Sequence, residues 1–105
     1  MLATSFYLIL AILLEVAGTT SMKFSVGFTK LGPSILIFVF YLISFICLTL
    51  SLKRIAISVA YAVWAGLGTS LITLIGIFFF HEPMTLIKFA SLFLIIVGVM
   101  GLRLG

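Results

Sequence analysis

The sequence predicts an all-α membrane protein, a single domain over residues 1–105 made of four transmembrane helices. Three observations predict it. Of 105 residues, 65% are hydrophobic and only 8% are charged, against about 25% charged in a soluble domain. The charges sit at a few points and leave four long apolar stretches between them. Each stretch is close to the roughly 20 residues that a membrane-spanning helix needs. Four spans use up the chain, so no soluble domain accompanies them. Disorder requires low hydrophobicity and high charge and is excluded. A disulfide scaffold is excluded as well, because Cys47 is the only cysteine.

The first span is expected at about residues 4–22. Glu15 lies inside it, and the segment lacks the positive start of a signal peptide, so it reads as a retained span. From Lys23 to Pro33, two glycines, a proline and two lysines mark a loop. The second span, about 33–53, opens on Pro33, which suits a first helical turn, and closes on Lys53 and Arg54. The third, about 58–80, ends in Phe78-Phe79-Phe80, followed by the His81-Glu82-Pro83 turn. The fourth, about 84–104, carries Lys88 in its first turn, where a lysine can snorkel to the interface.

Lys and Arg counts set orientation. One side of the membrane receives Lys53, Arg54 and Arg103, and the other receives Lys23, Lys30 and Lys88. Three against three gives no preferred orientation. The expectation is dual topology, with two opposite copies pairing as an antiparallel dimer, in the manner of inverted-repeat transporters. The net charge of +4 is scattered, with no basic run, and reads as anchoring at the bilayer surface, with no nucleic-acid partner.

Glu15 is the strongest chemical signal. An acid at a helix centre costs roughly 2.5–3.5 kcal/mol to insert and normally faces a cavity or a partner. No cation lies at the centre of another span to neutralise it. Two states are open to it: protonated, or ionised with a bound cation. A group that alternates between them is the core of a proton-coupled cation exporter, with protons and a cationic small molecule as its partners. The competing reading is a permanently protonated structural glutamate.

Helical spacing puts Ala11 and Thr19 on the Glu15 face, with Ile12 and Gly18 beside them. Small residues there leave space for a ligand or let another helix approach. Tyr61 and Trp64 share a face of the third span, and Tyr41 lies within the second. Aromatic faces attract organic cations, which makes these three binding candidates. Ser44 joins the candidate set. Gly66 and Gly68 permit a kink in the third span, as a hinge or as a close packing point. Gly98 and Gly101 read as a packing seam, the expected dimer contact. His81 and Glu82 read as solvated interface residues. No metal-ligand cluster, phosphate loop or nucleophile–base pair is present in the sequence, so neither enzyme activity nor a cofactor is expected.

The segments Glu15-Val16-Ala17-Gly18-Thr19-Thr20, Met22-Lys23-Phe24-Ser25 and Gly27-Phe28-Thr29-Lys30 with Pro33-Ser34 resemble the small multidrug resistance family. So does Ala60-Tyr61-Ala62-Val63-Trp64-Ala65-Gly66-Leu67-Gly68, and the likeness covers essentially the whole chain. The resemblance implies proton-coupled export of cations by an antiparallel dual-topology dimer in the bacterial cytoplasmic membrane. It implies that Glu15 is the exchanging carboxylate and that Tyr41, Tyr61 and Trp64 bind substrate. The guanidinium-exporting branch has glycine three residues before the glutamate and tryptophan three after it. Here Ile12 and Gly18 hold those positions, which looks like the quaternary-ammonium branch. Ser5 stands where some multidrug members have a tyrosine, and Val26 where many have an acid. The Phe80–Thr85 turn resembles that of guanidinium exporters. The alternatives are therefore a guanidinium exporter of the same fold, a non-transporting membrane subunit, and a heterodimer with a paralogue of opposite charge bias.

Overall fold

The computed structural model describes residues 2–105; Met1, part of the expected domain, lies outside the described residues. Four helices follow in order: α1 (Leu2–Ser25), α2 (Leu31–Ser51), α3 (Ile57–Phe79) and α4 (Leu86–Leu104). All four are long and apolar enough to cross a membrane. In hydrocarbon every backbone polar group must be satisfied internally, and helices do this within one segment. Side-chain hydroxyls follow the same rule. Thr20, Ser21, Thr49, Thr69, Ser70, Thr73 and Ser91 each donate to the carbonyl four residues earlier.

Helix ends depart from the sequence expectation by a turn or less. α1 runs on through Lys23 to Ser25, because a lysine at a membrane helix end can extend toward water. Ser25 then stops it. Its hydroxyl donates to Met22 O, its Oγ accepts the Phe28 amide, and its carbonyl takes the amides of Thr29 and Lys30. Val26, Gly27 and Phe28 make the turn in the left-handed region, with φ of 48°, 67° and 66°. α4 starts at Leu86, where the Thr85 side chain accepts from the Lys88 amide at 3.1 Å as an N-cap. The turn before it holds His81 at φ 59°.

α1 packs chiefly against α2 and also against α3, while α4 touches α3 alone among the described residues. Leu8, Ile12, Val16 and Ala60 form the buried core. The chain measures 42 × 35 × 17 Å. Its thin dimension is less than two helix diameters of about 10–12 Å. No residue of α4 is buried. Gly98 and Gly101 have open space beside them.

Candidate functional site

Glu15 sits in the middle of α1, one turn from Ala11 and one from Thr19. Both turns are used to bring α2 close. At Ala11 the backbone carbonyl accepts the Ser44 hydroxyl at 2.6 Å, and both residues are fully buried. Ser51, one further turn plus three residues along α2, instead bonds within its own helix. The Ser44 bond is thus one polar tie between α1 and α2. At Gly18 the Tyr41 ring lies directly on the α1 backbone, and a Cβ there would stand 3.1 Å from two ring carbons. Ile12 belongs to the buried core on the adjoining face.

Thr19 joins the two helices chemically. Its hydroxyl donates to Glu15 Oε1 at 3.2 Å and also contacts the Tyr41 hydroxyl. Since a hydroxyl has one hydrogen to give, Tyr41 donates to Thr19 and Thr19 donates to the carboxylate. The relay orients the carboxylate from one side.

The other carboxylate oxygen, Oε2, is buried and has no hydrogen-bond partner among the described residues. It lies against Gly68 of α3, where even a methyl group would collide with it. Gly68 is therefore the seat of the Glu15 side chain. Trp64 is one turn before Gly68 on α3, on the same face, and its indole Nε1 is likewise buried and unpartnered. Leaving such a group unmatched costs about 1–3 kcal/mol. Unsatisfied buried groups in folded proteins call for a functional explanation or a missing partner. Here one acceptor and one donor are left open in the same region. Among the described residues the one ion pair is Lys88–Glu82 at 4.0 Å, so no cation neutralises Glu15.

The aromatic candidates form a continuous run. Tyr41 stacks on Phe45 with centroids 5.9 Å apart, Phe45 contacts Trp64 at 6.0 Å, and Trp64 meets Tyr61 edge-on at 5.7 Å. Tyr61 is 56% exposed at the open end of the run. Sequence reasoning found the two tyrosines and the tryptophan and missed Phe45, the ring that connects them. A signal existed, since Phe45 is four residues after Tyr41 and so shares its helix face.

The two α3 glycines separate. The helix is continuous through both. Gly68 faces Glu15, whereas Gly66 faces α4, with a Cβ there 2.7 Å from Val99 Cγ2. Both positions are points of close approach. Glu82 stands apart from Glu15, at the end of α3. Its amide donates to Gly76 O at 3.0 Å, and its carboxylate lies over Gly76. Val26 is exposed in the first turn.

The sequence model of the family described as Small Multidrug Resistance protein matches residues 3–95. Among curated relatives, the chain is 57% identical over 98 residues to the Uncharacterized membrane protein YvaE of Bacillus subtilis, covering 93% of this chain and 82% of that one. It is 43% identical over 98 residues to the Quaternary ammonium compound-resistance protein QacE of Escherichia coli, covering 93% and 89%. It is 41% identical over 102 residues to the Multidrug resistance protein mmr of Mycolicibacterium paratuberculosis, covering 96% and 95%.

Proposed function

Since the chain belongs to the small multidrug resistance family, a family of multi-pass membrane transporters, we propose that it exports lipophilic and quaternary ammonium cations in exchange for protons. Glu15 is the exchanging group. The observation that carries this reading is the half-satisfied carboxylate. Oε1 is held by Thr19, while Oε2 is buried, unpartnered and unopposed by any cation among the described residues. Such a group accepts either a proton or a substrate cation, and the two compete. The Tyr41–Phe45–Trp64–Tyr61 run supplies π-faces for an organic cation.

The export unit is an antiparallel dual-topology homodimer in the bacterial cytoplasmic membrane. Two features support this. The Lys and Arg counts on the two sides are equal, and a layer 17 Å thin does not enclose a solute path by itself. The apolar outer face of α4, with Gly98 and Gly101 uncovered, is the surface for the second copy. A heterodimer with an oppositely biased paralogue would use the same surface.

Two features support bulky organic cations over guanidinium as substrates: the extended aromatic surface and the names that relatives carry. The Tyr41 ring fills the space over Gly18, 3.1 Å from where a side chain there would begin. A tryptophan at that position would collide with it, so the aromatic wall comes from α2 and α3, through Tyr41, Phe45, Trp64 and Tyr61. Two relatives, at 40% and 43% identity, carry quaternary ammonium compound-resistance names. The test is proton-driven uptake by the purified protein in proteoliposomes, comparing wild type with Glu15→Gln. The variant should fold and dimerise but lose uptake of both quaternary ammonium and guanidinium. Robust gradient-driven uptake by it would end the exchange reading. Preferential uptake of guanidinium by wild type would select the narrower exporter.

A further inference from the structure

A cavity of about 370 Å³ opens between the C-terminal ends of α1 and α3. Its inner wall includes Thr19, the residue whose hydroxyl is bonded to Glu15. Its outer wall includes Phe80, Glu82 and Lys23, at the end of the apolar spans. The cavity thus spans from the neighbour of the buried carboxylate to the membrane surface. Two of the chain's own cations occupy its receiving groups. The Lys23 ammonium stands 5.9 Å from the centre of the Phe80 ring. The Lys88 ammonium stands 4.0 Å from Glu82 Oε1 and is also held by Pro83 O at 2.8 Å. At the other end of the bundle a cavity of about 420 Å³ is lined by Arg54 and Arg103 and contains no carboxylate.

We propose that the cavity between the ends of α1 and α3 is the vestibule through which an organic cation reaches Glu15. Phe80 and Glu82 are its receiving groups, and Lys23 and Lys88 are resident cations that the substrate displaces. The inference rests on the export reading above and extends it to two specificity-determining residues outside the central site. The turn is built to present the carboxylate. The Glu82 amide bonds back to Gly76 O, and the carboxylate lies over Gly76, with a Cβ there only 2.7 Å from Oε1. Any side chain at position 76 would push Glu82 off the cavity wall. The charges around Glu82 are Lys88 in the first turn of α4 and Lys23 across the cavity, with His81 next to it in the chain. In an antiparallel pair, each membrane face carries one such mouth.

Uptake of phenyltrimethylammonium, an aromatic quaternary ammonium, by reconstituted protein tests the proposal. Glu82→Gln retains the backbone bond to Gly76 and removes the charge, and KM should rise about two- to fivefold with kcat unchanged. Phe80→Leu should raise KM by about the same factor. The opposite sign is expected at Lys23. Lys23→Gln, paired with Thr29→Lys to preserve the loop's charge count, should lower KM, because the competitor on the Phe80 face is gone. A merely structural role for this turn does not improve apparent affinity in any variant. Wild-type KM in Glu82→Gln and Phe80→Leu, or losses confined to kcat, would overturn the vestibule. Proton-driven uptake that survives Glu15→Gln would overturn the exchange reading instead, and the KM pattern would still decide the vestibule.

Discussion

Gly68→Ala separates the carboxylate's position from its chemistry. The added Cβ falls on Glu15 Oε2. The obstructing atom is the tip of a flexible side chain, so the helices need not move; the carboxylate swings away instead. Leaving its place breaks the 3.2 Å bond from Thr19, worth about 0.5–1.5 kcal/mol. An off-rotamer side chain adds about 0.5–1.5 kcal/mol. Against this, alanine is favoured over glycine inside a helix by about 0.8–1.0 kcal/mol. The net cost to stability is therefore about 0–2 kcal/mol. The helix gain does nothing for function, since it leaves the carboxylate displaced. Displacement worth about 1–3 kcal/mol at the binding step corresponds to a fivefold to more than hundredfold loss of cation affinity. The assay pairs cation binding with unfolding in mixed denaturing micelles. The expected result is a stability loss of no more than about 2 kcal/mol with binding reduced at least about fivefold. Binding within twofold of wild type would refute the claim that Gly68 seats Glu15. A collapse of stability would show that the helices, and not the side chain, absorb the clash.

Other perturbations report on the aromatic run, on proton competition and on assembly. Trp64→Ala removes the ring joining Phe45 to Tyr61 and should weaken aromatic quaternary ammonium binding severalfold to more than tenfold, from a cation–π contact of about 0.5–2 kcal/mol. Trp64→Phe should lose less, and equal affinities across a cation panel would assign Trp64 to packing. If proton and cation share the Glu15 carboxylate, lowering pH fills it with protons, so apparent cation affinity should rise with pH and then level off. Titration in buffers of different ionisation enthalpy should count protons released on binding, and zero release with a flat pH profile would refute exchange. Single-cysteine labels at the C-terminus, in a Cys47→Ala background, should react from both sides of the membrane. Labelling from one side alone would refute the dual-topology homodimer.

The sequence was sufficient wherever the physics is one-dimensional. The spans follow from runs of apolar residues between charges, since the bilayer imposes a length on any helix that crosses it. Glu15 was visible because one acid in an apolar run needs no structural context to be anomalous. The aromatic candidates Tyr41, Tyr61 and Trp64 were legible from their depth in the spans. What required tertiary structure was every relation between helices. Gly66 and Gly68 look alike in sequence, yet residues two apart on a helix point about 200° apart. One therefore faces α4 and the other receives Glu15. Ser44 and Ala11 are 33 residues apart in the chain and share a hydrogen bond, which no intrahelical period encodes. Phe45 completes the ring run, and Glu82, read in the sequence as a solvated interface residue, lines a cavity that reaches Thr19. A side chain's depth is written along its own helix. Its neighbour on the next helix depends on rotation and register, and packing sets those only once the helices meet.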